Sequence, residues 1–336
     1  MPSPALHALA DELHFAHTPD GWRLALHRHA ARSAEPGPPV ILCPGYACNR
    51  HFIDWDEEHS LARFLARRGF DAWVLELRGR GLSHPTPACS APRTWTFDDL
   101  AIHDVPTAVL HVARATRRQV AWVGHSMGGM LLYASLGSPA GAGLPITAGV
   151  TLAAPVAFPA ASSELLARIG QLLLDVPLTE TIHQRLVLGV LWHLVGHTAM
   201  VDIGMNPANV DRRVVGAALA RALSNVPRAK LRQLSEWSLT GRFVSVDGRV
   251  DYRAALARVS TPLLVVAGAA DRLATPATVQ QALEHLPART ATYLEAGRAQ
   301  GYCVDYGHVD LVLGRAAPTE VFPAVADWLA RHNGTP

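Results

Sequence analysis

The stretch Val120-Ala121-Trp122-Val123-Gly124-His125-Ser126-Met127-Gly128-Gly129 decides how the rest of the chain is interpreted. It starts with an apolar run typical of a buried strand, and the residues 130–136 that follow it can form a helix. Gly-x-Ser-x-Gly between a strand and a helix is the pattern of a nucleophile elbow, a tight turn that lifts the serine hydroxyl above the sheet. Gly124 and Gly128 lack side chains that would collide in such a turn. The pattern predicts that Ser126 is a nucleophile, and the alternative is a turn with a purely structural role.

Short apolar runs like the one before Ser126 occur on both sides of it. They lie at residues 40–43, 72–77, 147–152 and 263–267. Runs of this length that are rich in Val and Leu are typical of parallel strands buried on both faces and flanked by helices. Residues 13–15 and 22–27 are expected to form an antiparallel hairpin at one edge of the sheet. The sequence therefore predicts an α/β fold with a mostly parallel central sheet.

Amphipathic helices are predicted between these strands. Residues 57–68 and 319–331 each carry apolar side chains on one face. Residues 104–117 show a third helical pattern, with Asp104 as its N-cap and Pro106 in its first turn. Each of these helices is expected to cover one face of the sheet.

The strand signals disappear between residues 158 and 259. Four amphipathic helical stripes take their place, at residues 165–173, 186–195, 214–222 and 231–237. A block of helices inside an alternating α/β pattern predicts an all-helical cap, or lid, over the C-terminal edge of the sheet. The chain is therefore divided into a first core part at 1–157, a cap insertion at 158–259 and a second core part at 260–336. The apolar stripes either form the core of the cap or line an apolar tunnel.

Partners for Ser126 are expected downstream, because a serine hydroxyl is a poor nucleophile until a base takes its proton. Asp271 follows a buried strand, at the sheet edge where such sites assemble. Its alternative role is a helix cap or an ion pair with Arg272. His308 follows the last predicted strand and is the candidate general base, with Asp271 as the acid that orients it. Asp310 is the second candidate acid, although its position suggests a brace for the loop.

An acyl-transfer site also needs hydrogen-bond donors for the oxyanion that develops in the reaction. The backbone N–H of Met127, directly after the serine, is the first candidate. The N–H of Tyr46, in the loop after the strand at residues 40–43, is the second, because Gly45 lets that backbone approach the substrate. We expect Gly45, Tyr46 and His125 to line the substrate pocket.

The composition excludes some classes of partner. The chain has 30 Lys+Arg against 28 Asp+Glu, a net charge of +2, and a dedicated nucleic-acid binder would carry a basic excess. No apolar run approaches the ~20 residues that span a bilayer, so no stable membrane insertion is expected. The first residues show no secretory leader pattern, which predicts a cytoplasmic protein. The oligomeric state stays open.

Cofactor and metal motifs are incomplete. His193 and His197 are four residues apart, but the zinc metalloprotease pattern needs Glu where Leu194 stands. The lone turn Gly79-Arg80-Gly81 lacks the full dinucleotide-binding fingerprint, and there is no P-loop. The four cysteines have no spacing of a disulfide framework or a zinc site; they are Cys43, Cys48, Cys89 and Cys303. We expect no cofactor, no metal and free thiols.

Several segments, taken in chain order, resemble one superfamily. They are Pro44-Gly45-Tyr46, Glu76-Leu77-Arg78-Gly79-Arg80-Gly81-Leu82-Ser83, Gly124-His125-Ser126-Met127-Gly128, Asp271 and His308. This order resembles the α/β-hydrolase superfamily of the serine esterase and lipase type. Glu76 stands where the family usually has Asp. Residues 233–243, 270–274 and 307–311 resemble the acid-lipase branch, which usually has His where Pro44 stands.

The resemblance and the candidate residues together predict hydrolysis of a carboxylic ester with a hydrophobic acyl or alcohol part. Ser126 would form an acyl-enzyme, with His308 as base and Asp271 as its partner. The expected partner is a small-molecule ester. The alternatives are an acyltransferase with the same triad, a peptidase or amidase of the same fold, and a non-catalytic binding protein.

Overall fold

A computed structural model of the chain describes residues 10–33, 37–87, 94–158, 181–182 and 202–332. Within these residues, nine strands form one sheet. Its strands are β1 (Glu12–His17), β2 (Trp22–His29), β3 (Pro39–Cys43), β4 (Asp71–Glu76), β5 (His84–Pro85), β6 (Val120–His125), β7 (Ile146–Leu152), β10 (Leu263–Gly268) and β11 (Ala291–Ala296). A separate pair is formed by β8 (Thr181–Ile182) and β9 (Val226–Pro227).

The central sheet is parallel apart from one edge. Its strand order is β1-β2-β4-β3-β6-β7-β10-β11, and β5 pairs with β2. β1 and β2 form an antiparallel hairpin, β2 is antiparallel to β4, and the pairings from β4 to β11 along this order are parallel. Every residue of β3, β4, β6 and β10 is buried. The prediction that the apolar runs are strands buried on both faces is therefore confirmed.

Helices follow most strands and cover the sheet. The α-helices are α1 (Leu61–Arg67), α2 (Phe97–Asp99), α3 (Val105–Thr116), α4 (Met127–Gly137), α5 (Arg212–Ala222), α6 (Arg228–Thr240), α7 (Tyr252–Ala255), α8 (Pro276–Gln280), α9 (Ala282–His285), α10 (Asp310–Leu313) and α11 (Val321–Arg331). Short 3₁₀ helices span Arg50–Phe52, Pro139–Gly141, Leu256–Arg258 and Arg298–Gln300. Among the residues described, none of these helices has the length and apolar character needed to cross a bilayer.

The first helix starts later than the sequence pattern at residues 57–68 suggests. Ser60 is its N-cap, because its side chain accepts a hydrogen bond from the N–H of Arg63. A serine at this position satisfies one of the unpaired N–H groups at the helix start. Glu57 lies ahead of the helix, and its carboxylate pairs with Arg63.

The prediction that Asp104 is an N-cap is wrong. Asp104 has helical backbone angles of φ −69° and ψ −48° and ends a π-helical turn, Leu100–Asp104, that runs directly into α3. The continuous helical segment begins instead after Thr96, which forms a capping box with Asp99. The Asp104 carboxylate is fully buried and accepts hydrogen bonds from Nε and the backbone N–H of Arg78, at 2.8 and 2.9 Å. A buried carboxylate needs a cationic partner, so this aspartate serves the ion pair rather than the helix end.

The segment between β7 and β10 contributes no strand to the central sheet in its described part. It holds α5, α6 and α7, so the third and fourth helical stripes are observed as helices. It is not all helical as predicted, because β8 and β9 pair as antiparallel strands. Each of these strands has two residues, which is too short to leave a periodic signal in the sequence. The first two stripes, at residues 165–173 and 186–195, and the pair His193 and His197 lie outside the described residues.

Candidate active site

Ser126 occupies the sharp turn between β6 and α4. Its backbone angles are φ 52° and ψ −119°, a conformation that side chains rarely adopt. A Cβ atom added to Gly124 would overlap the backbone of Gly128, and one added to Gly128 would overlap the carbonyl of Cys43. The turn therefore requires glycine at both positions. The N–H of Ser126 donates to the carbonyl of Leu152 at 2.7 Å and ties the turn to β7.

His308 and Asp271 are in direct contact. The distance between His308 Nδ1 and Asp271 Oδ2 is 2.7 Å, and the Asp271 side chain is fully buried. The other oxygen, Oδ1, accepts hydrogen bonds from the N–H groups of Leu273 and Ala274 at 2.8 and 2.9 Å. Asp271 thus caps the turn ahead of α8 and also contacts the histidine. A carboxylate accepts the Nδ1 proton, which leaves Nε2 of His308 as the basic nitrogen.

Asp310, the second candidate acid, has a different set of partners. Its carboxylate accepts hydrogen bonds from the N–H of Gly307 at 2.9 Å and from Nδ2 of Asn209 at 3.0 Å. The N–H of Asn206 is a third donor, at 3.2 Å. Burial raises the pKa of this carboxyl. Asp310 braces the loop that carries His308 against the segment ahead of α5.

His125 lies behind His308 rather than on an open surface. Its residue exposure is 2%, and its Nε2 is 2.9 Å from the main-chain carbonyl oxygen of His308. Its ring lies 4.7 Å from the His308 ring and 4.8 Å from the Phe52 ring, measured between centroids. Burial holds the pKa of His125 well below its usual value, so the neutral ring donates its Nε2 proton to the carbonyl. In this conformation His125 supports the loop that carries His308.

The loop after β3, residues 45–49, lies against the serine. A Cβ added to Gly45 would be 3.1 Å from Cβ of Ser126 and 3.1 Å from Nδ1 of His125. The structure therefore brings Gly45 and Ser126 together, as the sequence suggested. Met127 is the first residue of α4, where the N–H groups lack an intrahelical acceptor. Tyr46 follows Gly45 in the same loop and is partly buried.

Two buried basic side chains, Arg80 and Lys230, lie next to this loop, and the sequence analysis assigned neither of them to the site. Nη1 of Arg80 donates to the carbonyls of Gly45 and Cys48, at 2.7 and 2.9 Å. Nζ of Lys230 lies 4.8 Å from the centroid of the Tyr46 ring. Lys230 is fully buried and is the single lysine of the chain. That singularity was the one signal in the sequence that pointed to it.

Burial acts differently on the charge of the two basic side chains. Burial, and next to it the charge of Arg80, hold the pKa of Lys230 well below its usual value. A contact with an aromatic ring favours an ammonium by about 2 kcal/mol when desolvated, which is less than the cost of burying an unpaired ammonium. Burial therefore favours the neutral amine at Lys230. Burial also lowers the pKa of Arg80, but a guanidinium starts so high that it stays protonated.

The same loop is also bound by the C-terminal end of α5 and the residues that follow it. The N–H of Asn49 donates to the carbonyl of Ala222 at 2.9 Å, and the N–H of Ser224 donates to the carbonyl of Ala47 at 2.8 Å. The side-chain Nδ2 of Asn49 donates to the carbonyl of Arg221 at 2.8 Å. Residues 45–49 thus contact Arg80 in the core on one side and residues 221–224 on the other.

The described residues offer no other obvious chemistry at this place. No group of three or more His, Cys, Asp or Glu side chains in the described part of the chain is arranged to hold a metal ion. Cys43, Cys48 and Cys303 are free thiols, and Cys89 lies outside the described residues. Burial raises the pKa of Cys43 to about 12 and that of Cys48 to about 11, so neither thiol is reactive as a thiolate.

Comparisons with known proteins agree with the α/β-hydrolase fold. Residues 35–297 match the model of a family described as serine aminopeptidase, S33 (Hydrolase_4). The matched range includes Ser126 and Asp271 and ends before His308. Among curated proteins, triacylglycerol lipase 1 of Arabidopsis thaliana is 25% identical over 343 residues, which cover 92% of this chain and 84% of that protein. A probable lipase of Schizosaccharomyces pombe is 31% identical over 145 residues, 39% of this chain and 32% of that protein.

The chain thus spans most of the plant lipase but about a third of the yeast lipase's length. Among solved structures, a thermophilic esterase from Thermogutta terrifontis superposes with a TM-score of 0.63 at 16% sequence identity. That superposition covers 96% of this chain and 100% of the esterase chain. At this level of identity the similarity shows a shared fold.

Proposed function

Because the chain belongs to the serine aminopeptidase S33 (Hydrolase_4) family of α/β-hydrolases, we propose that it hydrolyses carboxylic esters with a hydrophobic acyl or alcohol part. Its lipase relatives support a carboxylic ester hydrolase. The observation that carries the proposal is the 2.7 Å contact between His308 and Asp271, on a loop whose carbonyl is held by the residue next to Ser126.

In the proposed reaction, Nε2 of His308 takes the proton of the Ser126 hydroxyl as its oxygen attacks the ester carbonyl. Asp271 keeps the Nδ1 proton in place and stabilises the imidazolium. His308 then gives its proton to the leaving alcohol, and an acyl-enzyme on Ser126 remains. A water molecule, activated by the same histidine, releases the acid and restores the free hydroxyl.

We propose that the N–H groups of Met127 and Tyr46 bind the oxyanion of the tetrahedral intermediate. The position of Met127 at the start of α4 supports the first assignment. The approach of Gly45 to Cβ of Ser126 supports the second, since Tyr46 is the next residue. Each donor would lower the barrier by about 3 kcal/mol.

We also propose that residues 158–259 form a cap over the active site, inserted between core parts at residues 1–157 and 260–336. The hydrogen bonds from Asn49 to Ala222 and Arg221, and from Ser224 to Ala47, support a cap seated on the loop beside Ser126. A cap of this kind would exclude water from the acyl pocket and favour substrates with an apolar part.

A peptidase is the second candidate, because the description of the family refers to an aminopeptidase. An aminopeptidase site needs a carboxylate to bind the free amine of its substrate. The two carboxylates that the described residues bring next to His308, Asp271 and Asp310, have their oxygens occupied by the contacts described above. The ester-hydrolase function is therefore the better supported of the two.

The test measures turnover of p-nitrophenyl esters graded from two to sixteen acyl carbons and of aminoacyl arylamides. Wild-type protein should cleave the esters and react with a fluorophosphonate, and Ser126→Ala should lose both reactions. Ser138→Ala, at the other end of α4, is the matched control and should keep them. Preference for the arylamides would favour the peptidase. Transfer of the acyl group to an added alcohol, in preference to water, would favour an acyltransferase, and full turnover by Ser126→Ala would refute the proposal.

A further inference from the structure

Arg80 holds both ends of the turn at residues 45–48. Its Nη1 donates to the carbonyl of Gly45 at 2.7 Å and to that of Cys48 at 2.9 Å. The residue is 2% exposed, so these hydrogen bonds are shielded from water. Hydrogen bonds from a charged donor in a dry environment are short and strong, and they fix the orientation of the groups they bind.

The carbonyl of Gly45 and the N–H of Tyr46 belong to the same peptide group. A trans peptide is planar, and its C=O and N–H bonds point in opposite directions. No described peptide bond is cis. Holding the Gly45 oxygen on Arg80 therefore aims the Tyr46 N–H away from Arg80. Gly45 itself lies against Ser126, where a Cβ would come within 3.1 Å of the serine Cβ.

The charge of Arg80 is not cancelled by a carboxylate among the described residues that contact it. Asp104, the carboxylate that interacts with it electrostatically, is hydrogen-bonded to Arg78. Nη2 of Arg80 has no hydrogen-bond partner in the described part of the chain. Lys230 has no anionic form, and burial raises the pKa of the Cys48 thiol to about 11, so neither neighbour supplies a negative charge. The closest partners of the positive charge are therefore the carbonyls of Gly45 and Cys48.

We infer that Arg80 is a positioning residue of the oxyanion hole, which aims and polarises the Tyr46 N–H through the Gly45 carbonyl. The inference rests on the proposed function, in which this N–H binds the oxyanion. A cation on the carbonyl oxygen draws electron density from the peptide and makes its N–H a stronger donor. The benefit grows as negative charge develops on the substrate oxygen. Arg80 thus acts on the transition state more than on the bound ester.

The test compares Arg80→Met, Arg80→Gln and Arg80→Lys with the wild type, each normalised to active sites titrated with a fluorophosphonate. Arg80→Met removes both the donors and the charge and should lower kcat by about 10–100-fold, with KM within about twofold. Arg80→Lys restores the charge and should recover part of the loss. Arg80→Gln restores a neutral donor and should recover less. If Arg80→Met fails to fold, Arg80→Lys and Arg80→Gln still test the inference.

A trifluoromethyl ketone forms a tetrahedral adduct with the serine. Its binding distinguishes an effect of Arg80 on the orientation of the Tyr46 N–H from an effect on the stability of the fold. Its affinity should fall by the same factor as kcat/KM across the three variants. Arg78→Lys is the matched control, because Arg78 is equally buried two residues away but pairs with Asp20 and Asp104. It should lower the Tm and leave kcat per titrated site unchanged.

Two results would overturn the inference. One is a kcat for Arg80→Met within about twofold of the wild type. The other is a loss that appears equally in Arg78→Lys and follows the Tm. In both cases a wild type that still hydrolyses esters through Ser126 leaves the proposed function standing. A wild type without Ser126-dependent ester cleavage or fluorophosphonate labelling would remove the proposed function, and the inference with it.

Discussion

Asp271 uses its two carboxylate oxygens for different contacts, and this has a consequence for its substitution by Asn. The backbone N–H groups of Leu273 and Ala274 both point at Oδ1, so an Asn side chain must place its oxygen there. Its NH₂ group then faces Nδ1 of His308, at the place where Oδ2 is now. A donor there forces the histidine into the tautomer that carries its proton on Nε2, where it cannot accept the serine proton.

We therefore predict that Asp271→Asn lowers kcat by on the order of 10³–10⁴-fold while the fold is kept. Steady-state kinetics and the rate of fluorophosphonate labelling measure the loss. Asp211→Asn is the control, because Asp211 caps α5 in a similar way without a histidine partner. A kcat for Asp271→Asn close to that of the wild type would move the acid role elsewhere, with Asp310 as the next candidate.

Lys230 lowers the free energy of unfolding by an amount that depends on pH. Its pKa in the folded chain lies well below the usual value of 10.5, so between the two pKa values the unfolded chain binds more protons than the folded chain. The free energy of unfolding therefore rises with pH up to that usual value. Lys230→Met removes this term, and the chain with Met should be more stable by roughly 1–4 kcal/mol at pH 7.

The gain should shrink as the pH rises from 7 towards 10, because the unfolded wild type then loses its extra proton. Urea unfolding of both proteins at pH 7, 8.5 and 10 measures the difference. A gain that is constant over this range would mean that Lys230 is protonated in the folded protein, or that the effect comes from packing alone.

The loop at residues 45–49 joins the core to residues 221–224, which belong to the proposed cap. Asn49 joins them with its side chain, which donates to the carbonyl of Arg221 and caps the 3₁₀ helix that follows. Asn49→Asp keeps the capping oxygen but loses the donor, so it should loosen residues 221–224 without disturbing Arg50–Phe52. We predict faster amide hydrogen exchange at Asn49 and Ser224, whose N–H groups cross the junction, by about 10-fold for a loss near 1.4 kcal/mol.

Hydrogen exchange followed by mass spectrometry checks this prediction. Asn206→Asp is a suitable control, because Asn206 precedes α5 in the chain and its Nδ2 donates a hydrogen bond to the carbonyl of Asp305. Unchanged protection at Ser224 in Asn49→Asp would mean that the backbone hydrogen bonds alone hold the junction.

At the scale of elements, the sequence indicated strands better than helix ends. Buried parallel strands are continuous apolar runs, and this signal survives without knowledge of the neighbours. Helix starts depend on local capping, and here Ser60 caps the helix, so that it begins at Leu61 rather than at residue 57. Asp104 looked like an N-cap because Asp is common there, but its role depends on Arg78, which approaches from 26 residues away in sequence.

At the scale of the whole molecule, the α/β-hydrolase fold predicted from the strand pattern and from the resemblance is confirmed. The order of Ser126, Asp271 and His308 also indicated which strand ends should meet, and the catalytic roles of these residues stay predictions. The contacts of Arg80 and His125 could not be predicted from the sequence, because each side chain donates to a main-chain carbonyl far away in sequence. Every residue carries a backbone carbonyl, so the sequence does not show which of them accepts a side-chain hydrogen bond. Only the three-dimensional structure shows this.

Because the chain has a single lysine and it is buried, acylation of that lysine reports on local opening of the structure. A reagent that acylates side-chain amines meets none on the surface, since the one ε-amino group is enclosed between Tyr46 and the core. Coupling to a dye or a resin through lysine would proceed only in molecules that have opened at this junction. The rate of that coupling would measure how often the structure opens around Lys230, without a label engineered into the chain.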